Sequence, residues 1–146
     1  MADNLTSNER SRVMAAVRSR GNQSTELRLV SLLRAHGVRG WRRHPRLAEH
    51  PDFVFPRERL AILVDGCFWH GCPWHCRLPR TRALYWRRKI RRNKARDRIV
   101  SKALSKKGWR VLRVWEHSLR SSGPLLNRIQ AALRASVRDR KRPSKP

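Results

Sequence analysis

Apolar residues fall along this chain in two rhythms, and the places where one rhythm gives way to the other mark out its elements. Ser24 and Thr25 can cap a helix that runs to about His36 and stops at Gly37, with Leu29, Val30 and Leu33 on one face. Glu26 shares that face, although a glutamate in a first turn ordinarily just answers the helix dipole. Residues 38–50 carry turn formers and charge without sustained periodicity and read as a loop or irregular strand. Pro51 to Phe55 makes a short strand, Pro56 to Arg59 a turn, and Leu60 to Val64 the second arm of a hairpin. That second arm is continuously apolar, as a strand buried on both faces must be, and it breaks at Asp65-Gly66. From Thr81 to Lys107 the pattern is helical, with Trp86, Ile90, Val100 and Leu104 near one stripe and a stop at Gly108. Trp109 to Trp115 is a further strand, and strand, helix and strand in this order predict a parallel crossover beside the hairpin. Residues 124–137 read as a closing helix with Leu126, Ile129, Leu133 and Val137 on its apolar face. The sum is an α/β (α+β) domain with a central mixed sheet flanked by helices.

Length and charge narrow this picture. A chain of 146 residues suits one core, which the pattern places at residues 24–137. Before it, residues 1–23 form a polar, basic N-terminal arm containing Arg18 and Arg20; after it, residues 138–146 (RDRKRPSKP) read as a disordered basic tail. Lysine and arginine number 36 against 10 acidic residues, a net charge of +26, so the partner expected is a polyanion, and nucleic acid first of all. There is no apolar run of about 18 residues to span a membrane and no secretory signal pattern. The odd number of cysteines argues against a disulfide framework and for a reducing, cytoplasmic compartment.

The candidate chemistry gathers after the apolar strand. Within LAILVDGCFWHGCPWHC lie all three cysteines (Cys67, Cys72, Cys76), His70 and His75, and three large aromatics (Phe68, Trp69, Trp74). Thiolate and imidazole suit tetrahedral zinc, and the loop offers Cys67, Cys72, His75 and Cys76, with His117 beyond the adjacent strand. Asp52 and Asp65 flank the buried strand and are oxygen donors of the kind a hard divalent cation takes. Asn93 and Asp97 interrupt the long helix's apolar stripe; a buried carboxylate there needs a partner, and either an arginine or a histidine of the central loop would serve. His70 lies between the strand-end aspartate and the cysteines, where it can bond a phosphate or a water.

These residues also carry a resemblance. VDGCFWHGCPWH, preceded by PDFVF and followed by PRTRALYW and GWRVLRVWE, resembles the very-short-patch repair endonucleases, the Vsr family, from the SRVMAAVRSRGNQSTELRL segment to about Leu119. The resemblance implies a fold similar to type II restriction endonucleases, with a structural zinc. It implies a magnesium-dependent hydrolase acting on double-stranded DNA, nicking one strand 5′ of the thymine in a T:G mismatch left by deamination of 5-methylcytosine. A companion DNA cytosine methyltransferase is then a genetic partner, and a nucleoid-associated monomer is expected. Asp52 matches the family's magnesium ligand, with the main-chain carbonyl of Val64 as a second ligand. His70 matches the water-activating histidine, Asp97 an acid that orients it, and Glu26 a supporting acid; Asp65 stands in a variable slot and is a candidate only. Phe68, Trp69 and Trp86 match aromatics that wedge beside the mismatch. Cys67 and Cys72 match zinc positions and His75 suits the third, with Cys76 able to displace it; His117, in WEH, replaces a cysteine usual in the family. The rival reading is a zinc-stabilised nucleic-acid-binding protein without catalysis, in which Asp52, His70 and Asp97 have no necessary role.

Overall fold

A computed structural model of the chain describes residues 25–67, 69–74 and 76–141, with the backbone alone for 139–141. Residues 1–24, which include Arg18 and Arg20 of the arm and the capping candidate Ser24, lie outside these described residues, as do Phe68, His75 and residues 142–146. In chain order the elements are α1 (Glu26–Ala35), β1 (Arg42–Arg43), β2 (Phe53–Phe55), β3 (Leu60–Asp65), α2 (Ala83–Lys106), β4 (Arg110–Trp115), a 3-10 turn (Glu116–Arg120) and α3 (Ser122–Lys141).

The four strands lie in the order β1-β2-β3-β4. β2 and β3 are antiparallel, pairing Phe53 with Ile62 and Phe55 with Leu60. β3 and β4 are parallel, pairing Leu60 with Arg110 and Asp65 with Trp115, and α2 is the crossover between them. Alternation along the strands sorts the core into two layers. Phe53, Phe55, Leu60, Ile62 and Val114 pack with Leu29 and Leu33 of α1 and Leu125 and Ile129 of α3. Val54, Ala61 and Leu63 pack on the other side with Leu104 and Trp109. The sheet is therefore covered on both faces, which is why β3 tolerates an unbroken apolar run. Truncating a fully buried leucine such as Leu33 or Leu104 to alanine costs about 2–5 kcal/mol, a large share of a small domain's stability.

Several local expectations shift. Thr25 occupies the N-cap of α1 but makes no side-chain capping bond. Glu26 is buried on the helix's core-facing side rather than simply exposed to the dipole, at 6% exposure. β3 runs one residue further than its apolar run, so Asp65 is the strand's last residue and pairs with Trp115. On α3 the buried apolar residues are Leu125 and Ile129, with Leu126 and Leu133 partly buried, while Val137 is exposed and Ser136 beside it is buried; the buried face is rotated from the one the pattern suggested. The helix also continues to Lys141, taking in residues 138–141 of the stretch read as tail. Arginine and lysine are good helix formers, so an established helix extends through them at little cost.

Candidate active site

The loop after β3 is coiled by its own backbone. The amide of His70 donates to the Gly66 carbonyl at 3.1 Å, that of Cys72 to Cys67 at 2.8 Å, and that of Cys76 to Cys72 at 3.1 Å. Gly71 lies at φ +65° and passes so close to α2 that an added Cβ would sit 2.7 Å from Ile90 Cγ2, so glycine is required on both counts. Asn93 and Asp97, one helical turn apart on α2, both face this loop. Asn93 Nδ2 donates to the Trp69 carbonyl at 2.9 Å, and Asp97 Oδ2 lies 2.6 Å from His70 Nδ1. The two polar residues on the apolar stripe thus dock the loop against the helix, and the partner of Asp97 is His70.

Around that pair stands a second carboxylate and a cation. Asp65 Oδ1 is 3.7 Å from His70 Nδ1, and Arg113 Nη1 donates to both oxygens of Asp65, at 2.8 and 3.0 Å. Burial pushes the Asp65 carboxyl up, against the pull of His70 and Arg113. For His70, burial disfavours the charged ring, but the Asp97 hydrogen bond and the charges of Asp65 and Asp97 outweigh it, and the imidazole titrates above its ordinary value. Asp65, His70 and Asp97 each bring a donor atom within 4.8 Å of the others.

A second acidic pair forms where α1 meets the sheet. Asp52, just ahead of β2, accepts the Val64 amide on Oδ2 at 2.7 Å, so the contact made by Val64 is through its N–H. Glu26 Oε2 is held at 3.0 Å by both Arg43 Nη2 and His44 Nε2. Burial first, and then the charge and hydrogen bond of Glu26 and the charge of Asp65, push the Asp52 carboxyl up to about 7 although the Val64 bond opposes the shift. A buried carboxylate crowded by other carboxylates is a site that a divalent cation would relieve, and its oxygen donors suit a hard ion.

The sulfur donors form a separate corner. His117 Nδ1 lies 3.3 Å from Cys67 Sγ and 3.6 Å from Cys72 Sγ. One ring nitrogen has a single lone pair and does not serve two thiols well, whereas ligands of one tetrahedral zinc are roughly 3.5 Å apart given metal–sulfur and metal–nitrogen bonds of about 2.3 and 2.0–2.1 Å. Burial raises the Cys67 thiol and the neighbouring Cys72 and Glu116 add to this, while a hydrogen bond from the His117 main chain opposes it. The donor set therefore fits zinc. Burial likewise raises Cys76, and the charge of Cys72 adds to this while Lys94 opposes it. Cys67, Cys72 and His117 thus bring three donor atoms within 4.8 Å of one another, while His75 lies outside the described residues.

Trp69 is half-buried, whereas Trp86 is 6% exposed and meets Trp69 edge-on at 5.9 Å. Trp86 backs Trp69 rather than presenting its own face. Lys89 lies over Trp69, Trp86 and Tyr85 at 5.6–5.9 Å. Further along the exposed side of α2, Leu84, Tyr85, Arg88, Arg91 and Arg92 line a cleft of about 630 Å³. Arg113, Arg43 and His44 escaped the sequence reading as site residues. An arginine inside the otherwise apolar run Val111-Leu112-Arg113-Val114 was the available signal, because a charge in a covered strand needs partners.

The family described as DNA mismatch endonuclease Vsr matches residues 2–77. The type II nicking enzyme V.XorIIP of Xanthomonas oryzae pv. oryzae is 41% identical over 91% of this chain and 98% of its own. The chain belongs to the Vsr family. The DNA mismatch endonuclease Vsr of Escherichia coli K12 is likewise 41% identical, over 82% of this chain and 77% of that protein. V.NaeI of Lentzea aerocolonigenes, a type II nicking enzyme, is 57% identical over 46% of this chain; that match spans 40% of the relative's length. Vsr membership makes the chain a DNA endonuclease and sets aside the non-catalytic reading. Among the described residues no helix is long and apolar enough to cross a membrane.

Proposed function

We propose that this chain nicks one strand of double-stranded DNA 5′ of the thymine in a T:G mismatch, with magnesium at Asp52 and a structural zinc at the thiol corner. The observation that carries the reading is the His70–Asp97 contact of 2.6 Å, with the crowded Asp52 carboxyl under the charge of Asp65 nearby: a held base and an ion-seeking acid in a chain of the mismatch endonuclease family. Asp97 fixes Nδ1 of His70 as the hydrogen-bearing nitrogen, which leaves Nε2 to take a proton from the attacking water. Asp52, with the Val64 carbonyl, would hold magnesium and Glu26 would support it; when bound, the ion polarises the phosphate and stabilises the leaving oxygen. Cys67, Cys72, His75 and His117 would hold zinc and keep the loop rigid, with Cys76 the alternative to His75.

Recognition follows from the same loop. Phe68 and Trp69 would wedge into the base stack, with Trp86 packed against Trp69, since a wobble pair differs from a normal pair more in deformability than in groove pattern. Arg88, Arg91 and Arg92 would track phosphates, as would Arg18 and Arg20 of the arm. T:G mismatches arise when 5-methylcytosine deaminates, so a companion DNA cytosine methyltransferase is the genetic partner proposed. The test is nicking of otherwise identical duplexes holding T:G, T:A and C:G pairs, with magnesium and with chelator. Cleavage confined to the T:G duplex and abolished by chelator is expected; equal cleavage of all three would overturn the specificity, and cleavage in chelator the metal.

A further inference from the structure

Arg113 belongs to the His70 cluster and has no part in the chemistry proposed above. It stands on β4 opposite Leu63 of β3, and alternation brings it to the same face of the sheet as Asp65, beneath α2. Its guanidinium is engaged on three sides. Nη1 donates to both oxygens of Asp65 (2.8 and 3.0 Å), Nη2 to the main-chain carbonyl of Asp97 (2.8 Å) and Nε to Ser101 Oγ (2.9 Å). Asp97 and Ser101 are one turn apart on α2, so one planar fork ties the helical turn bearing Asp97 to the strand end bearing Asp65.

The consequence falls on His70. Its Nδ1 carries a single hydrogen when the ring is neutral and has two carboxylates in view, Asp97 Oδ2 at 2.6 Å and Asp65 Oδ1 at 3.7 Å. A ring that turned to Asp65 would point its other nitrogen elsewhere. Asp65 is 5% exposed, and without the guanidinium its carboxylate would draw on the donors that remain, the imidazole N–H among them. We propose that Arg113 is a positioning residue: by saturating Asp65 and pinning the Asp97 turn, it leaves Asp97 to hold His70 Nδ1 and so fixes the plane in which the imidazole meets water. The proposal rests on His70 being the base. It also makes Asp65 a neutralised partner of Arg113 rather than a metal ligand.

The experiment compares Arg113→Gln, Arg113→Lys, each combined with Asp65→Asn, and His70→Ala in the full-length chain. Three quantities are read: single-turnover nicking of the T:G duplex, affinity for that duplex, and the low-field NMR resonance of the His70 ring N–H. Arg113→Gln is expected to slow nicking by about 10- to 100-fold, the scale of a small misplacement at a reacting centre, with duplex affinity unchanged and the resonance shifted or split. Arg113→Lys falls between, because an ammonium pairs with Asp65 but cannot fork to Asp97 and Ser101 as well. Adding Asp65→Asn removes the competing charge and brings rate and resonance back toward wild type, which a merely structural arginine would not allow. Should Arg113→Gln fail to fold, Arg113→Lys with and without Asp65→Asn decides the matter. An unmoved resonance and rate in the folded variant, or double variants no faster than the single ones, would overturn the proposal. His70→Ala is read separately: wild-type nicking in it defeats the base assignment, while the His70 resonance in the Arg113 variants still reports whether Arg113 holds the ring.

Discussion

Two corners of the molecule gather groups that repel one another once ionised, and they resolve the crowding in different ways. At the thiol corner, Cys67 and Cys72 converge on one imidazole nitrogen of His117, and burial and mutual repulsion raise the Cys67 thiol. At the acidic corner the carboxylates divide into two pairs. Asp65 and Asp97 have Arg113 and His70 between them. Asp52 has Glu26, which pushes it further toward about 7, while Arg43 and His44 bind Glu26. Where the fold supplies its own cation, no ion is required; where donors are buried against their like among the described residues, an ion would relieve them. On that comparison the thiols are the donors suited to a soft ion and Asp52 to a hard one, as proposed above, while Asp65 is already paired with Arg113.

The largest effect expected is at the thiol corner. Elemental analysis should find one zinc per chain, and stripping it should unfold the central loop, since a structural zinc is worth roughly 10–16 kcal/mol of apparent binding energy in small domains. His117→Ala should lose both metal and fold, and Cys76→Ser neither. The reverse result would make Cys76 the ligand, and protein purified without zinc would remove the first half of the comparison.

Asp52→Asn comes next. It takes away a metal ligand and no DNA contact, so nicking of the T:G duplex with magnesium should fall on the order of 1000-fold while duplex binding persists. Wild-type nicking in this variant would show that the crowded pair is not the ion's seat.

The same carboxyl predicts a pH effect on the zinc-loaded protein in the absence of magnesium. Its folded value, about 7, lies above the ordinary 3.8, so the folded state binds this proton more tightly than the unfolded one. The associated stability is present below about pH 4 and is lost as pH rises to about 7, a change of a few kcal/mol at about 1.4 kcal/mol per pH unit. Urea unfolding at pH 5 and pH 8 should show the decline in wild type and a smaller one in Asp52→Asn. Parallel behaviour in the two proteins would mean that Asp52 is not the strained acid.

The smallest effect concerns recognition. Trp69→Ala should keep fold, zinc and salt-dependent binding but lose the preference for a T:G over a T:A duplex, whereas changing Arg18 or Arg20 should weaken both alike and lower the salt slope. An unchanged affinity ratio in Trp69→Ala, measured across a salt series, would place discrimination outside the loop.

Periodicity alone determined the hairpin, the parallel crossover through α2 and the covered strand between them, because alternation and helical stripes are local consequences of which faces meet the core. The list of metal-liking donors was legible too, since ten residues hold every cysteine. So was the need of Asp97 for a partner, because a carboxylate on an apolar stripe is out of place. What only the tertiary structure decided is which donors meet. His70 and Asp97 are 27 residues apart, and Arg113 and Asp65 are 48 apart; whether they touch depends on the register of β3 against β4 and the rotation of α2, to which no local pattern is sensitive. Glu26 illustrates the same limit. Its sequence context is that of an ordinary first-turn acid, and only the packing of α1 on the sheet carries it to Arg43, His44 and Asp52. Residue type records what a side chain needs, but a buried charge can be satisfied by several partners, and the fold's geometry selects among them.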